Sequence, residues 1–347
     1  MVKELEIIPF LERSLRVPVA DVRTPAEYSR GHIPGADNLP LFSDEERKTV
    51  GTLYKEKGRG RSIEEGIRMV QPRLLEYITR AKKVAPGNEI LLHCWRGGLR
   101  SSSMAWLFDF AGISTAVLSG GYKAYRAHVR KLFARPLKLI VLGGLTGSGK
   151  TDILHSMEEN GQQVIDLEGL ARHKGSAFGG IGLPAQPTTE QFENDLASVI
   201  MSHDPRKVIW VEDESRNIGK NMIPAGLFDQ MRSCPVVFMK KSKEVRADRL
   251  ADEYSRCGPE VLEESIRRIN RRLGGLSTRQ AIEWIRMEDY RQAAMTILSY
   301  YDKTYSYGLS RRDPEKVLQF DPVNKEPGAI CREMIEFARK ARLMSHG

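Results

Sequence analysis

The sequence of 347 residues predicts an α/β protein made of two parallel-sheet units in series, the second ending in a helical part. Three observations carry this prediction. Short apolar segments alternate with segments of helical period; the alternation stops at Arg135-Pro136 and restarts at Leu137; and each half has a glycine-bearing loop between an apolar strand and a helix. Alternation of this kind needs crossover connections and hence parallel sheets, which gather ligands at the carboxyl ends of their strands. A chain of this length outgrows one typical core, so the units are placed at residues 1–134 and 135–347.

Residues 17–22, Val-Pro-Val-Ala-Asp-Val, read as a short buried strand ending in the polar turn Arg23-Thr24-Pro25. Ala26 to Arg30 gives a helical turn, and the glycines and proline of Gly31-His32-Ile33-Pro34-Gly35-Ala36 mark a loop. Ile63, Ile67, Val70, Leu74, Leu75 and Ile78 recur at nearly helical period, predicting a helix over 62–83 that ends before Pro86-Gly87-Asn88. Glu89 to His93 is a strand, Cys94 to Gly98 a loop, Leu99 to Phe110 a helix and Thr115 to Leu118 a strand closed by Gly120-Gly121. A basic helix, Tyr122 to Phe133, then runs to the boundary. Beyond it, Leu137 to Leu142 is an apolar strand, and after a glycine loop Lys150 to Asn160 is a helix. Val164–Asp166, Val208–Val211 and Val236–Met239 are short and apolar enough for a sheet covered on both faces. From about Lys243 to Ala341 the pattern is mainly helical, with breaks at Gly258-Pro259, Gly274-Gly275 and Asp313-Pro314.

Composition narrows the class. The amino terminus has neither the apolar stretch of a signal peptide nor the acid-poor character of a transit peptide, and no apolar run approaches the roughly 20 residues that span a bilayer. A cytoplasmic protein without a membrane partner is expected. Cys94, Cys234, Cys257 and Cys331 are scattered, without zinc-type spacing, so a single reactive thiol is expected rather than a disulfide framework or a metal site made of protein ligands alone. The net charge of +9 is uneven: residues 1–136 hold 23 Lys and Arg against 15 Asp and Glu. Such a basic field suits a polyanion such as RNA, with a solvated surface as the plain alternative.

Two loops carry chemistry. Gly144-Leu145-Thr146-Gly147-Ser148-Gly149-Lys150-Thr151 satisfies GxxxxGK[ST] between a strand and a helix. Its glycines let backbone N–H groups converge on phosphate oxygens, Lys150 supplies a point charge, Thr151 can hold Mg2+, and the helix amino terminus adds partial positive charge. The strand 208–211 ends in Glu212-Asp213-Glu214, where Asp213 or Glu212 is a candidate to position magnesium or water. There is no Asn-Lys-x-Asp guanine signature, and the loop alone does not choose between a nucleoside triphosphate and a diphosphate ester. In the other loop, Cys94 stands between a strand and a helix amino terminus, where amides favour thiolate, with Arg96 and Arg100 adding positive charge. Gly97 and Gly98 shape that loop. Trp95 reads as a packing residue or a lid, and strand alternation places His93 opposite Cys94.

Asp21-Val22-Arg23 with Thr24-Pro25-Ala26-Glu27-Tyr28, then Gly31–Ala36, then the Cys94 loop, resemble the rhodanese family. By that resemblance Asp21 and Arg23 support the active-site loop. Five residues separate Cys94 from Arg100, one more than in common sulfurtransferase loops, and His93-Cys94-x5-Arg100-Ser101 also looks like the cysteine phosphatase signature. A loop of that size fits phosphate or selenophosphate.

Taken together and in this order, Cys94–Ser101, Leu142–Thr151 and the intervening Gly51-Thr52-Leu53-Tyr54-Lys55 are similar to the tRNA 2-selenouridine synthase family over nearly the whole chain. That resemblance implies a rhodanese-like domain with a parallel sheet followed by a P-loop NTPase-like α/β domain with a helical carboxyl-terminal part. It implies that 2-thiouridine at the tRNA wobble position is geranylated with geranyl diphosphate and then exchanged for selenium from selenophosphate. The implied roles are diphosphate binding for Gly144, Gly147, Ser148, Gly149, Lys150 and Thr151, and the selenium step for Cys94, as carrier or nucleophile, with Arg96 and Arg100 holding the anion. Candidates for tRNA phosphates are Arg126, Arg130 and Lys131 on the linker helix and Arg267, Arg268, Arg271 and Arg272 on a later one, the latter equally readable as a solvated helix face. No tightly bound cofactor is expected. The rival readings are a rhodanese-fold Cx5R phosphatase and a P-loop ATPase or kinase with a regulatory rhodanese module.

Overall fold

The computed structural model describes residues 2–324 and 326–344 and divides the chain into two compact units between Leu132 and Phe133. The first holds β1 (Glu4–Leu5), β2 (Val19–Asp21), β3 (Asp37–Asn38), β4 (Glu89–His93) and β5 (Ser114–Leu118). They form one sheet in the order β1-β5-β4-β2-β3, every pairing parallel. The β4 strand is central, and its Ile90, Leu91 and Leu92 are wholly buried, as a strand covered on both faces requires. A helix from Pro25 to Arg30 follows β2, started by a capping box in which Thr24 accepts from the Glu27 amide and Glu27 reaches back.

The helix expected over 62–83 is instead two helices. The first, Asp44–Val70, starts at a Ser43–Glu46 capping box and is interrupted at Gly58, whose φ of 80° lies in the left-handed region. Pro72, which lacks an N–H, forces the tight turn Gln71–Arg73, and the second helix runs Leu74–Val84. The strands β1 and β3, two residues each, and the helix Ile7–Ser14 are too short or too weakly patterned to stand out in the sequence.

The second unit holds β6 (Leu139–Gly143), β7 (Gln163–Ile165), β8 (Ile209–Glu212), β9 (Asn217–Ile218), β10 (Asn221–Met222), β11 (Val236–Met239) and β12 (Val317–Phe320). Five of these form a parallel sheet ordered β12-β11-β6-β8-β7, and β9 and β10 make a small antiparallel ribbon. As with β4, the strand that leads into the glycine loop, β6, is the middle one. Helices from Lys243 to Ser310 build a core of their own around Leu250, Tyr254, Leu262, Ile266, Ile282, Ile285 and Ile297. The stretch 243–341 is therefore not all helical: β12 interrupts it and returns to the sheet, pairing Val317 with Val236. Four residues are too few to show a period against a helical background. The closing helix, Pro327–Lys340, packs Ile330, Met334 and Ile335 into the core shared with Ile153, Leu154 and Met157. Among the described residues, no helix is long and apolar enough to cross a membrane.

Candidate functional site

Cys94 follows the last residue of β4, and the chain turns at once into the helix Leu99–Phe110. Its Sγ accepts from the Gly98 amide at 3.3 Å and lies 3.2 Å from the Ser101 hydroxyl. Burial pushes the thiol up, but the Ser101 hydroxyl and the amides of Arg96, Gly98 and Ser101 outweigh it and hold Cys94 below the ordinary thiol value. The nest is made of backbone and one hydroxyl. Arg96 is exposed and contributes its amide, while the Arg100 guanidinium forks onto the Glu27 carboxylate at 2.5 and 3.2 Å. Arg100 ties the loop's helix to the capping box at Thr24.

Asp21 and Arg23 form a wholly buried pair at the end of β2, Nε lying 3.0 Å from both carboxylate oxygens and one terminal nitrogen 2.5 Å from Oδ2. Arg23 also donates to the Gly31 carbonyl at 2.7 Å and stacks 3.8 Å above the Tyr122 ring. Removing one partner from such a pair typically costs about 3–5 kcal/mol, because the other charge is left buried. His93 points away from Cys94, buried with Nε2 3.7 Å from Asp21, and burial lowers its pKa. Trp95 lies half exposed against Tyr122, ring centroids 5.8 Å apart. A second glycine pair completes the loop: Tyr122 N–H donates to the Cys94 carbonyl at 2.8 Å and Lys123 N–H to that of Trp95 at 3.0 Å. Gly121 (φ 58°) makes this approach possible, since a Cβ there would stand 2.5 Å from the Gly97 nitrogen and 2.8 Å from that of Arg96.

In the second unit Gly147 and Gly149 both have φ near 80°, so the loop after β6 curls and aims its amides inward. Lys150 Nζ donates to the Gly144 carbonyl at 3.1 Å, and Thr151 Oγ1 to Glu168 Oε2 at 3.0 Å. The Ser148 hydroxyl is buried and has no protein partner among the described residues, which fits a ligand oxygen. Arg246, almost fully buried, braces the loop: it donates to the Thr146 carbonyl at 3.2 Å and to both oxygens of Asp302 at 2.8 Å. Arg249 bonds Asp152 at 2.5 Å and a Cβ at Gly149 would lie 3.0 Å from it.

The acidic strand end differs from expectation. Asp213 is committed to a network, accepting from Arg312 at 2.5 Å and from the Tyr305 hydroxyl at 2.7 Å, and that hydroxyl in turn accepts from the Gly144 amide at 3.1 Å. Asp213 thus ties Arg312 and Tyr305 to the strand end, and it also lines the cavity beside the loop. Glu212 is buried and accepts from the Glu168 amide at 2.7 Å. The carboxylates that line the cavity with Lys150 and Thr151 include Asp213 and also Glu168 and Glu214, the last two not anticipated. Burial and the neighbouring Glu168 charge push Glu214 up to about 8. The cradle opens into a cavity of about 770 Å³ whose other walls include Phe178, Leu250, Tyr254, Ile297 and Tyr301.

The expected RNA contacts fare unevenly. Arg126 is buried, on a helix whose Tyr122, Tyr125, Val129 and Leu132 fill the core, so it is not offered to a polyanion. Arg130 and Lys131 are exposed, as is Arg271, while Arg267 pairs with Glu263 at 3.1 Å and Arg268 with Glu264 at 2.6 Å. Arg272 lines the cavity.

Fold and loops define a two-domain α/β protein, a rhodanese-like domain followed by an α/β domain with a glycine-loop phosphate cradle. Comparison with known proteins agrees: residues 10–128 match the rhodanese-like domain and residues 137–325 match the tRNA 2-selenouridine synthase AAA domain. A tRNA 2-selenouridine synthase of Bdellovibrio bacteriovorus is 37% identical over 85% of this chain and 90% of its own length. One of Pseudomonas putida is 35% identical over 84% of this chain and 87% of its own. A solved rhodanese-related protein of Thermoplasma volcanium is 17% identical over 36% of this chain and 92% of its own, with a TM-score of 0.24. The chain belongs to the tRNA 2-selenouridine synthase family.

Ser101→Ala removes a donor to the sulfur, so the Cys94 thiol pKa rises and its alkylation by iodoacetamide at neutral pH slows, as the rate-against-pH profile measures. Gly121→Ala forces the loop apart; urea unfolding is expected to show a loss of about 1–3 kcal/mol, with Gly87→Ala, where a Cβ meets nothing, as the neutral control. The raised value of Glu214 means that the folded state holds this proton more tightly than the unfolded chain does. Its contribution is therefore full below the ordinary glutamate value and is lost as pH climbs towards 8. Thermal melts of Glu214→Gln against the parent protein from pH 5 to 9 should show the parent losing ground steadily across that window.

Proposed function

We propose that the chain is an enzyme that acts on tRNA, alkylating 2-thiouridine at the wobble position with geranyl diphosphate and then replacing the geranylthio group with selenium from selenophosphate. The tRNA substrate is that named by the relatives. One observation supports the choice of alkyl donor: the glycine loop lines a cavity whose walls also include Phe178, Leu250, Tyr254 and Ile297, so phosphate-binding and apolar groups share one space. An amphiphile with a diphosphate head and a hydrocarbon tail suits such a mixed lining. In the first step the bond from the geranyl C1 to the diphosphate oxygen breaks as the sulfur–C1 bond forms, and the loop amides with Lys150 take up the charge on the departing diphosphate. Thr151 and Glu168 fit Mg2+ shared with the diphosphate, since that ion needs only one or two protein ligands beside phosphate oxygens; it would supply further charge neutralisation there. In the second step the selenium of selenophosphate adds to C2 of the base, the C2–S bond breaks as geranylthiolate leaves, and water cleaves the Se–P bond to release phosphate.

The Cys94 nest serves this selenium step. Amides converging beside a lowered thiol suit a selenophosphate anion, and a free thiol suits a reducing cytoplasm. Tying Arg100 to Glu27 weighs against a Cx5R phosphatase, whose arginine must grip the phosphate. Mass spectrometry of the wobble nucleoside, after incubation with thiolated tRNA, geranyl diphosphate and selenophosphate, tests the assignment. Cys94→Ser is expected to stop at geranylthiouridine, and Lys150→Ala to lose geranylation by about 100-fold or more, on the order of one charge-stabilising donor's worth. Loss of both steps in Cys94→Ser, or ATP turnover without alkyl transfer, overturns it.

A further inference from the structure

The helix Asp44–Val70 contains a stretch that no packing argument explains. From Tyr54 to Arg61 eight consecutive residues are exposed, so every side of this helical segment faces solvent. Within it stand Lys55, Lys57, Arg59 and Arg61 against the single acid Glu56. Of these cations, Arg61 pairs with Glu64 at 3.0 Å, a bond between two well-exposed side chains that is easily exchanged. Two glycines sit among them, although glycine costs a helix interior about 1 kcal/mol relative to alanine. Gly58 is required by its φ of 80°, but Gly60 has no such conformation and a Cβ there would meet nothing in the protein. A glycine with neither a conformational nor an internal steric reason, flanked by cations, is a place where another molecule's backbone can come close.

We propose that this kinked tip, Tyr54 to Arg61, is an RNA-binding surface that grips the sugar–phosphate backbone of the tRNA substrate. It rests on the tRNA reading above, but not on which donor the glycine loop holds. Lys55, Lys57, Arg59 and Arg61 neutralise successive phosphates, Gly60 lets the strand approach the helix backbone, and the exposed ring of Tyr54 offers a face for a splayed base. The tip takes over the role expected of Arg126, which is buried.

Fluorescence anisotropy of the full chain with an unmodified tRNA, repeated from about 50 to 300 mM salt, tests this. Replacing Lys55, Lys57, Arg59 and Arg61 by alanine is expected to weaken binding at least tenfold and to flatten the slope of log affinity against log salt by about 3, at roughly 0.7–0.9 for each phosphate no longer neutralised. Gly60→Ala, which adds a methyl group and no charge, should weaken binding severalfold at unchanged slope. Because the tip is unpacked, melting temperature and geranyl diphosphate binding should stay at parental values in both variants. An unchanged affinity and slope in the fourfold variant overturns the proposal. Failure of the parent protein to bind tRNA overturns the tRNA reading itself, and failure to bind geranyl diphosphate touches only the donor.

Discussion

Both reactive loops depend on one constraint: backbone amides can be aimed at an anion only where the chain turns through conformations that side chains resist. In the first domain Gly97 and Gly121 take positive φ and interlock, the backbone of one filling the space that a Cβ on the other would need. In the second, Gly147 and Gly149 also take positive φ, packed against Leu250 and Arg249, ahead of the helix that starts at Lys150. Each loop leaves the central strand of a five-stranded parallel sheet, where the amino end of the next helix adds its own field. The chemistry differs because of what stands inside the nest: a sulfur in one, an ammonium and a hydroxyl in the other.

Nests of this kind are soft unless braced, and in each domain a buried arginine supplies the brace. Arg23 joins Asp21, the Gly31 carbonyl and the Tyr122 ring, thereby linking β2, the loop before β3 and the helix that closes the thiol site. Arg246 joins the Thr146 carbonyl to Asp302, linking the phosphate loop to two helices of the carboxyl-terminal part. Burying a guanidinium is favourable only when nearly all its donors are satisfied, so these contacts hold several segments in fixed register.

The sequence makes legible whatever is local and periodic. The GxxxxGK[ST] pattern and Cys94 between strand and helix can be read because strand, turn and helix amino terminus are adjacent in the chain, whereas a supporting role for Asp21 and Arg23 is implied only by the rhodanese resemblance. What it conceals is long-range. Tyr305 reaches Gly144 and Asp213 from more than 90 residues further along the chain, and nothing in its neighbourhood distinguishes it from Tyr300 or Tyr301. Asp213 looks like a metal ligand because it ends a strand beside a phosphate loop, and only the structure reveals that Arg312 neutralises it. Arg126 illustrates the converse, a residue with the charge of a surface group on the core face of its helix. Gly120-Gly121 reads as the end of a strand, yet its larger task is to admit the Cys94 loop.

The fate of Asp213 also bears on which reaction the phosphate loop supports. Nucleotide hydrolysis requires a group near the second strand's end to orient water or to share a metal ion with the phosphates. Here that carboxylate is hydrogen-bonded by Arg312 and Tyr305, while the neighbouring Glu214 is pushed towards its protonated form and is a poor base at neutral pH. A transfer in which the diphosphate simply departs makes fewer demands. In the proposed reaction the acceptor is a sulfur that is already nucleophilic, and the protein need only stabilise a leaving group and keep water off the carbon it vacates. Cations around the loop together with an aromatic and aliphatic chamber meet those two demands, and so the same departure that weakens the case for an ATPase strengthens the case for alkyl transfer.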